Sequence, residues 1–72
     1  MGASPSLRHG ELTKREIEIL GLVGQGMSDP DIGAALFISP KTASVHVANI
    51  KGKLGVQSRV EMALRARDLG VA

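Results

Sequence analysis

The sequence predicts an all-α domain of four short helices, at about residues 13–24, 29–36, 40–54 and 58–69, with the middle pair joined by a tight turn. Three observations lead there. Apolar residues recur at spacings of three and four, the period of a helix with one buried face. The signature S/T-x-x-E, in which a hydroxyl and a carboxylate reciprocally satisfy the free N–H groups of a helix start, occurs at Thr13–Glu16 and Ser58–Glu61. Aromatic residues are reduced to Phe37 in a chain rich in Ala, Leu, Val, Ile and Gly, which argues against a β-sandwich.

The first helix begins at the Thr13 cap, with Leu12 and Ile17 placed as a hydrophobic staple across it. Ile17, Leu20 and Val23, flanked by Ile19 and Leu22, form its apolar stripe, and the run Gly24 to Ser28 ends it. The second helix starts near Ser28 or Asp29. Pro30 falls in its first turn, where a missing N–H does no harm. Ile32, Ala35 and Leu36 are its expected buried face. Gly33 weakens the helix by about 1 kcal/mol relative to Ala, so a close helix–helix approach is expected there. Ser39 as cap and Pro40 as first residue open the third helix, whose core stripe is Ala43, Val47, Ile50 and Leu54 and whose stop is Gly55. The fourth helix has two apolar sides, Val60–Ala63–Leu64 and Met62–Ala66–Leu69, with a narrow polar arc of Glu61, Arg65 and Asp68. Either both sides are buried within the domain, or one packs inward and the other meets a second copy.

With 72 residues the chain holds one domain at most, with a small core. It has no Cys, so no disulfide or thiolate-bound metal staples it, and His9 and His46 form no metal-ligand spacing. No cofactor or metal is expected. Residues 1–11 are small and polar and read as a lead-in, native or vector-derived, with the domain at 12–70. No apolar run reaches membrane-spanning length and no signal peptide is visible; the expectation is a cytoplasmic location without membrane contact.

The charge distribution says more than the net charge of +2. All seven carboxylates lie outside the stretch between Asp31 and Glu61, which carries Lys41, Lys51, Lys53 and Arg59 with His46 beside them. That stretch contains the second half of a helix–tight turn–helix pair, an arrangement whose second helix enters the DNA major groove. Opposite its core stripe, the third helix carries Ser44, Val45, Ala48, Asn49 and Gly52, side chains short enough to seat in a groove about 12 Å wide. Val45 suits a thymine methyl, and Ser44 and Asn49 can exchange hydrogen bonds with bases. Lys41 and Thr42 stand at the positive, N-terminal end of the helix, and Lys51 and Lys53 stand near its other end, as phosphate contacts.

Taken together, Leu12–Glu16, Gly26–Ser28, Asp31–Gly33, Ile38–Ala43, His46, Asn49–Ile50, Lys53–Val56 and Ser58–Arg59 resemble the LuxR-type DNA-binding domain that closes many FixJ/NarL-type response regulators and quorum-sensing regulators. The resemblance covers about residues 11–70. It implies a helix-turn-helix domain of a bacterial transcription factor that binds double-stranded DNA as a homodimer, with an upstream sensor or receiver domain and a dimer contact on the last helix. Carried over by position, Ser44, Val45, Ala48 and Asn49 face bases. Thr13, Ser39, Lys41, Thr42, His46, Lys51 and Lys53 face phosphates. Val60, Ala63, Leu64 and Arg67 form the dimer contact. His46, beside the core stripe, also fits a structural role. The sequence departs from the family pattern in the short side chains of Ser44 and Ala48, and in Asp29–Pro30, which sets a carboxylate where an amide and a lysine are usual.

Three other functions compete. A protein-interaction module on the same fold is favoured by Ser44, Ala48 and Asp29. A sigma-factor-like region shares the helix pair, but the His46–Asn49–Lys53 register fits it less well. Catalysis would need paired acid, base or nucleophile groups; Glu16 and Glu18 point to different sides of a helix, and no catalytic residue is assigned.

Overall fold

A computed structural model describes residues 11–72 and folds them into α1 (Lys14–Gly24), α2 (Asp29–Leu36), α3 (Pro40–Leu54) and α4 (Arg59–Asp68), with no strand among the described residues. The expected lead-in, apart from Glu11, lies outside the described residues. Helix bounds agree with the sequence reading to within one residue, because hydroxyl caps mark each start. Thr13, Ser28, Ser39 and Ser58 each accept a hydrogen bond from the backbone N–H three residues on, at 3.0–3.3 Å. Such caps are worth about 1 kcal/mol each. Glu16 and Glu61 complete the two expected boxes, and Asp31 completes a third at Ser28, where its shorter side chain still reaches the Ser28 N–H at 3.3 Å.

α1 packs chiefly on α4 and α2 on α3, with α1 also against α3. The shared core is Ile19, Leu20 and Val23 of α1, Ile32 of α2, Ala43, Val47, Ile50 and Leu54 of α3, and Met62 and Ala66 of α4, closed by Leu12 and Val56. Leu36 joins its edge, but Ala35, expected on the buried face of α2, is exposed. Helical phase explains this: Ile32, Leu36 and Gly33 fall within one arc of about 100° on the helix, and Ala35 falls outside it. The chain then leaves α2 through Phe37 in the left-handed region (φ 60°).

Gly33 does allow a close approach, though not the helix–helix approach expected. Its neighbour is the turn backbone: a Cβ at residue 33 would lie 2.5 Å from the Ile38 carbonyl oxygen and 3.3 Å from the Pro40 nitrogen. The Ile38 N–H also bonds back to the Gly33 carbonyl at 2.9 Å. The start of α3 is thus clamped directly onto the last turns of α2. α1 is apposed to the chain end in the same way, since a Cβ at Gly21 would lie 2.5 Å from the Val71 carbonyl oxygen.

Of the two apolar sides of α4, Met62 and Ala66 are fully buried and Leu69 partly so, while Val60 and Leu64 are 71% and 56% exposed. The reading with one side inward therefore holds for the single domain. Val60 and Leu64 stand uncovered, with Ala63 half-buried and Arg67 exposed beside them.

Candidate nucleic-acid interface

α3 exposes the face that the periodicity assigned to it. Lys41, Thr42, Ser44, Val45, Ala48, Asn49 and Gly52 are exposed, and Ala43, Val47, Ile50 and Leu54 are buried behind them. Val45 leaves 54% of its surface in solvent, an uncovered apolar side chain in the middle of the ridge. His46 and Lys51 lie half-buried at its margins. At the N-terminal end, Ser39 Oγ accepts from the Thr42 N–H at 3.0 Å and donates to Thr42 Oγ1 at 2.9 Å, which fixes both hydroxyls beside the open end of the helix. Pro40 at the first position has no N–H, and its rigid φ sets the helix direction from its first residue.

The cations divide into two groups, which the sequence did not reveal. Lys53 was expected on phosphate, but its ammonium bonds Glu16 Oε1 at 2.8 Å, across thirty-seven positions from α3 back to the start of α1. Arg59 bonds Asp29 Oδ1 at 2.9 Å and donates to the Met27 carbonyl at 2.8 Å. Carboxylates from α1 and α2 thus fold back onto the acid-free stretch and compensate Lys53 and Arg59. Asp29 is matched by Arg59 rather than left to repel a phosphate. Lys41 and Lys51 flank the smooth face at its two ends, and Thr13, another expected phosphate contact, caps α1 on the Glu16 side of the domain.

Glu16 is the one buried charged residue among the described residues, 6% exposed. Its Oε1 accepts from both the Thr13 N–H at 2.9 Å and Lys53. Burial alone pushes its carboxyl up; the hydrogen bonds from Lys53 and Thr13 and the charge of Lys53 outweigh this and hold it below the ordinary glutamate value. The capping box made Glu16 visible in the sequence, but nothing local indicated that the same oxygen serves a second donor. Among the described residues no cluster of His, Asp or Glu could hold a metal ion, and no helix is long and apolar enough to cross a membrane.

Residues 10–66 match the family described as bacterial regulatory proteins, luxR family. The chain belongs to the luxR family. It is a DNA-binding helix-turn-helix domain of the kind found in bacterial transcriptional regulators, a family that is not enzymatic. Among luxR relatives, it is 46% identical over 61 residues to the transcriptional regulatory protein LiaR of Bacillus subtilis, matching 85% of this chain and 29% of that protein. It is 48% identical over 61 residues to the transcriptional regulatory protein UhpA of Escherichia coli, matching 85% of this chain and 31% of that protein. A putative HTH-type transcriptional regulator of Mycobacterium bovis is 38% identical over 66 residues, matching 92% of this chain and 8% of that protein. The luxR domain described here thus spans less than a third of these relatives.

Proposed function

We propose that this luxR domain reads a specific duplex sequence in transcriptional regulation, with α3 seated in the major groove. One observation carries the reading: α3 presents an exposed ridge whose central side chains are no longer than Asn and Val, flanked by lysines and free of carboxylates. Short outward side chains let a helix seat deeply in a groove about 12 Å wide. Val45 and Ala48 meet base edges by apolar contact, and Ser44 and Asn49 by hydrogen bonds. Lys41, Thr42, Ser39, His46, Lys51 and Thr13 serve the flanking phosphates. With no Arg or Lys among the base-facing residues, Asn49 is the one side chain there suited to a bidentate base contact, worth about 1–3 kcal/mol of discrimination, and the rest of the base preference rests on methyl contacts, bridging water and DNA shape.

The uncovered side of α4 supports a homodimer on DNA through Val60, Ala63, Leu64 and Arg67. Val60 and Ala63 also line an open groove of about 220 Å³ with Val23, Gly26 and Arg59, which gives a second copy a concave surface to fill. Two copies so joined would place two α3 helices on half-sites about one helical turn, roughly 34 Å, apart. An upstream sensor or receiver domain and a cytoplasmic location follow from the same reading.

Titration of the isotope-labelled domain with duplex DNA at low salt tests it. Backbone shifts should concentrate on residues 41–52, and Lys41→Ala should lower the log–log salt slope by about 0.9, the share of one phosphate. Shifts confined to α4 would instead favour a protein-interaction module on this fold.

A further inference from the structure

We propose that Glu16 is a positioning residue for α3: by holding Lys53 it fixes the far end of the recognition helix to α1 and withdraws that lysine from the phosphate contacts. The inference rests on the DNA-binding reading above and adds which cations take part in it. The geometry points to it in three ways. Glu16 is 6% exposed, so its charge needs a partner that stays. Its Oε1 already accepts from the Thr13 N–H at 2.9 Å, which fixes the carboxylate on the first turn of α1 before Lys53 arrives at 2.8 Å. The two ends of α3 are then held by different devices, the N-terminal end by the Gly33–Ile38 backbone contact and the C-terminal end by this ion pair. Complete transfer of Lys53 to a phosphate would leave a buried carboxylate without its cation, a change that strongly disfavours the exchange.

The test is a salt-dependence series on duplex binding. The intact domain is compared with Lys53→Met, which keeps the apolar stem, with Glu16→Gln, which keeps a capping side chain, and with the double variant. Lys53→Met alone is expected to leave the log–log slope nearly unchanged, whereas Glu16→Gln raises it by about 0.9 as Lys53 becomes available to phosphate. Adding Lys53→Met to Glu16→Gln removes that increment. A fall of about 0.9 on Lys53→Met alone overturns the proposal, because Lys53 would then be bound to DNA. A carboxyl-detected NMR titration of Glu16 in the unaltered domain gives an independent reading. The midpoint should lie below that of ordinary glutamate, stay there when duplex is added, and rise in Lys53→Met; a rise caused by duplex alone also overturns the proposal. Lys41→Ala separates the two levels. If it leaves duplex binding and its slope unchanged, or if no duplex binds, the DNA reading fails, and the carboxyl midpoint then reports on the ion pair alone.

Discussion

Replacing Gly33 with Ala sets two effects of opposite sign against each other at the turn that aims α3. In an exposed helix the change would stabilise by about 0.8–1 kcal/mol through helix propensity. Here the new Cβ would lie 2.5 Å from the Ile38 carbonyl oxygen, with Pro40 N and Ser39 C at 3.3 Å. Carbon–oxygen contacts are comfortable at about 3.3 Å, so the backbone must open by roughly 0.8 Å, and no flexible side-chain end is there to yield. Strain of this kind costs about 1–3 kcal/mol. Stretching the 2.9 Å bond from Ile38 N–H to Gly33 O forfeits about 1 kcal/mol more. Strain and hydrogen bond together exceed the propensity gain, and a net loss of about 1–3 kcal/mol follows. Urea unfolding followed by far-UV circular dichroism measures it, with a melting point lowered by about 4–8 °C per kcal/mol for a domain of this size. Because the displaced atoms lead directly into α3, duplex affinity should fall even where the variant is fully folded. A Gly33→Ala domain as stable as the parent or more so would refute the close-approach argument.

Three further outcomes follow from the fold. Met62→Ala removes a fully buried side chain of α4 and should destabilise by about 2–5 kcal/mol, enough to unfold much of so small a domain; a loss under about 1 kcal/mol on urea titration would mean that α4 is not packed as described. Phe37→Gly relieves a left-handed backbone at a residue 95% exposed, so urea midpoints should show stability unchanged to about 1 kcal/mol higher, with Phe37→Ala showing no gain; a clear loss in Phe37→Gly would show that the ring is held after all. The lowered pKa of Glu16 adds stability that is fully present above the unfolded glutamate value of about 4.3 and is lost as pH falls through the lower folded value. Urea midpoints of the parent and Glu16→Gln should therefore differ most above about pH 5 and converge in acid; a gap that stays constant with pH would contradict the ion pair.

Helix starts and faces were legible in the sequence because their causes are local. Thr13, Ser39 and Ser58 act within three residues of themselves, and the 3, 4, 4 spacing of Ala43, Val47, Ile50 and Leu54 fixes which side of α3 turns outward. The site was legible as a face but not as a charge balance. Lys53 and Arg59 read as free cations because Glu16 and Asp29, their partners, stand thirty-seven and thirty residues away, and periodicity carries no information about such pairings. Gly33 is a mixed case: the missing side chain signalled a close approach, but whether a helix or a turn came near depended on how Phe37 bends the chain. The two-sided pattern of α4 likewise told of an uncovered surface, and only packing decided that Met62 goes inward and Val60 outward.

The most direct measurement is the set of intermolecular NOEs between the labelled domain and a duplex selected from a random pool. Val45 and Ala48 methyl protons should meet thymine methyl or cytosine H5 protons, which line only the major groove. Contacts from these methyls to minor-groove protons, or no contacts from α3 while α4 responds to the duplex, would contradict the docking of this helix.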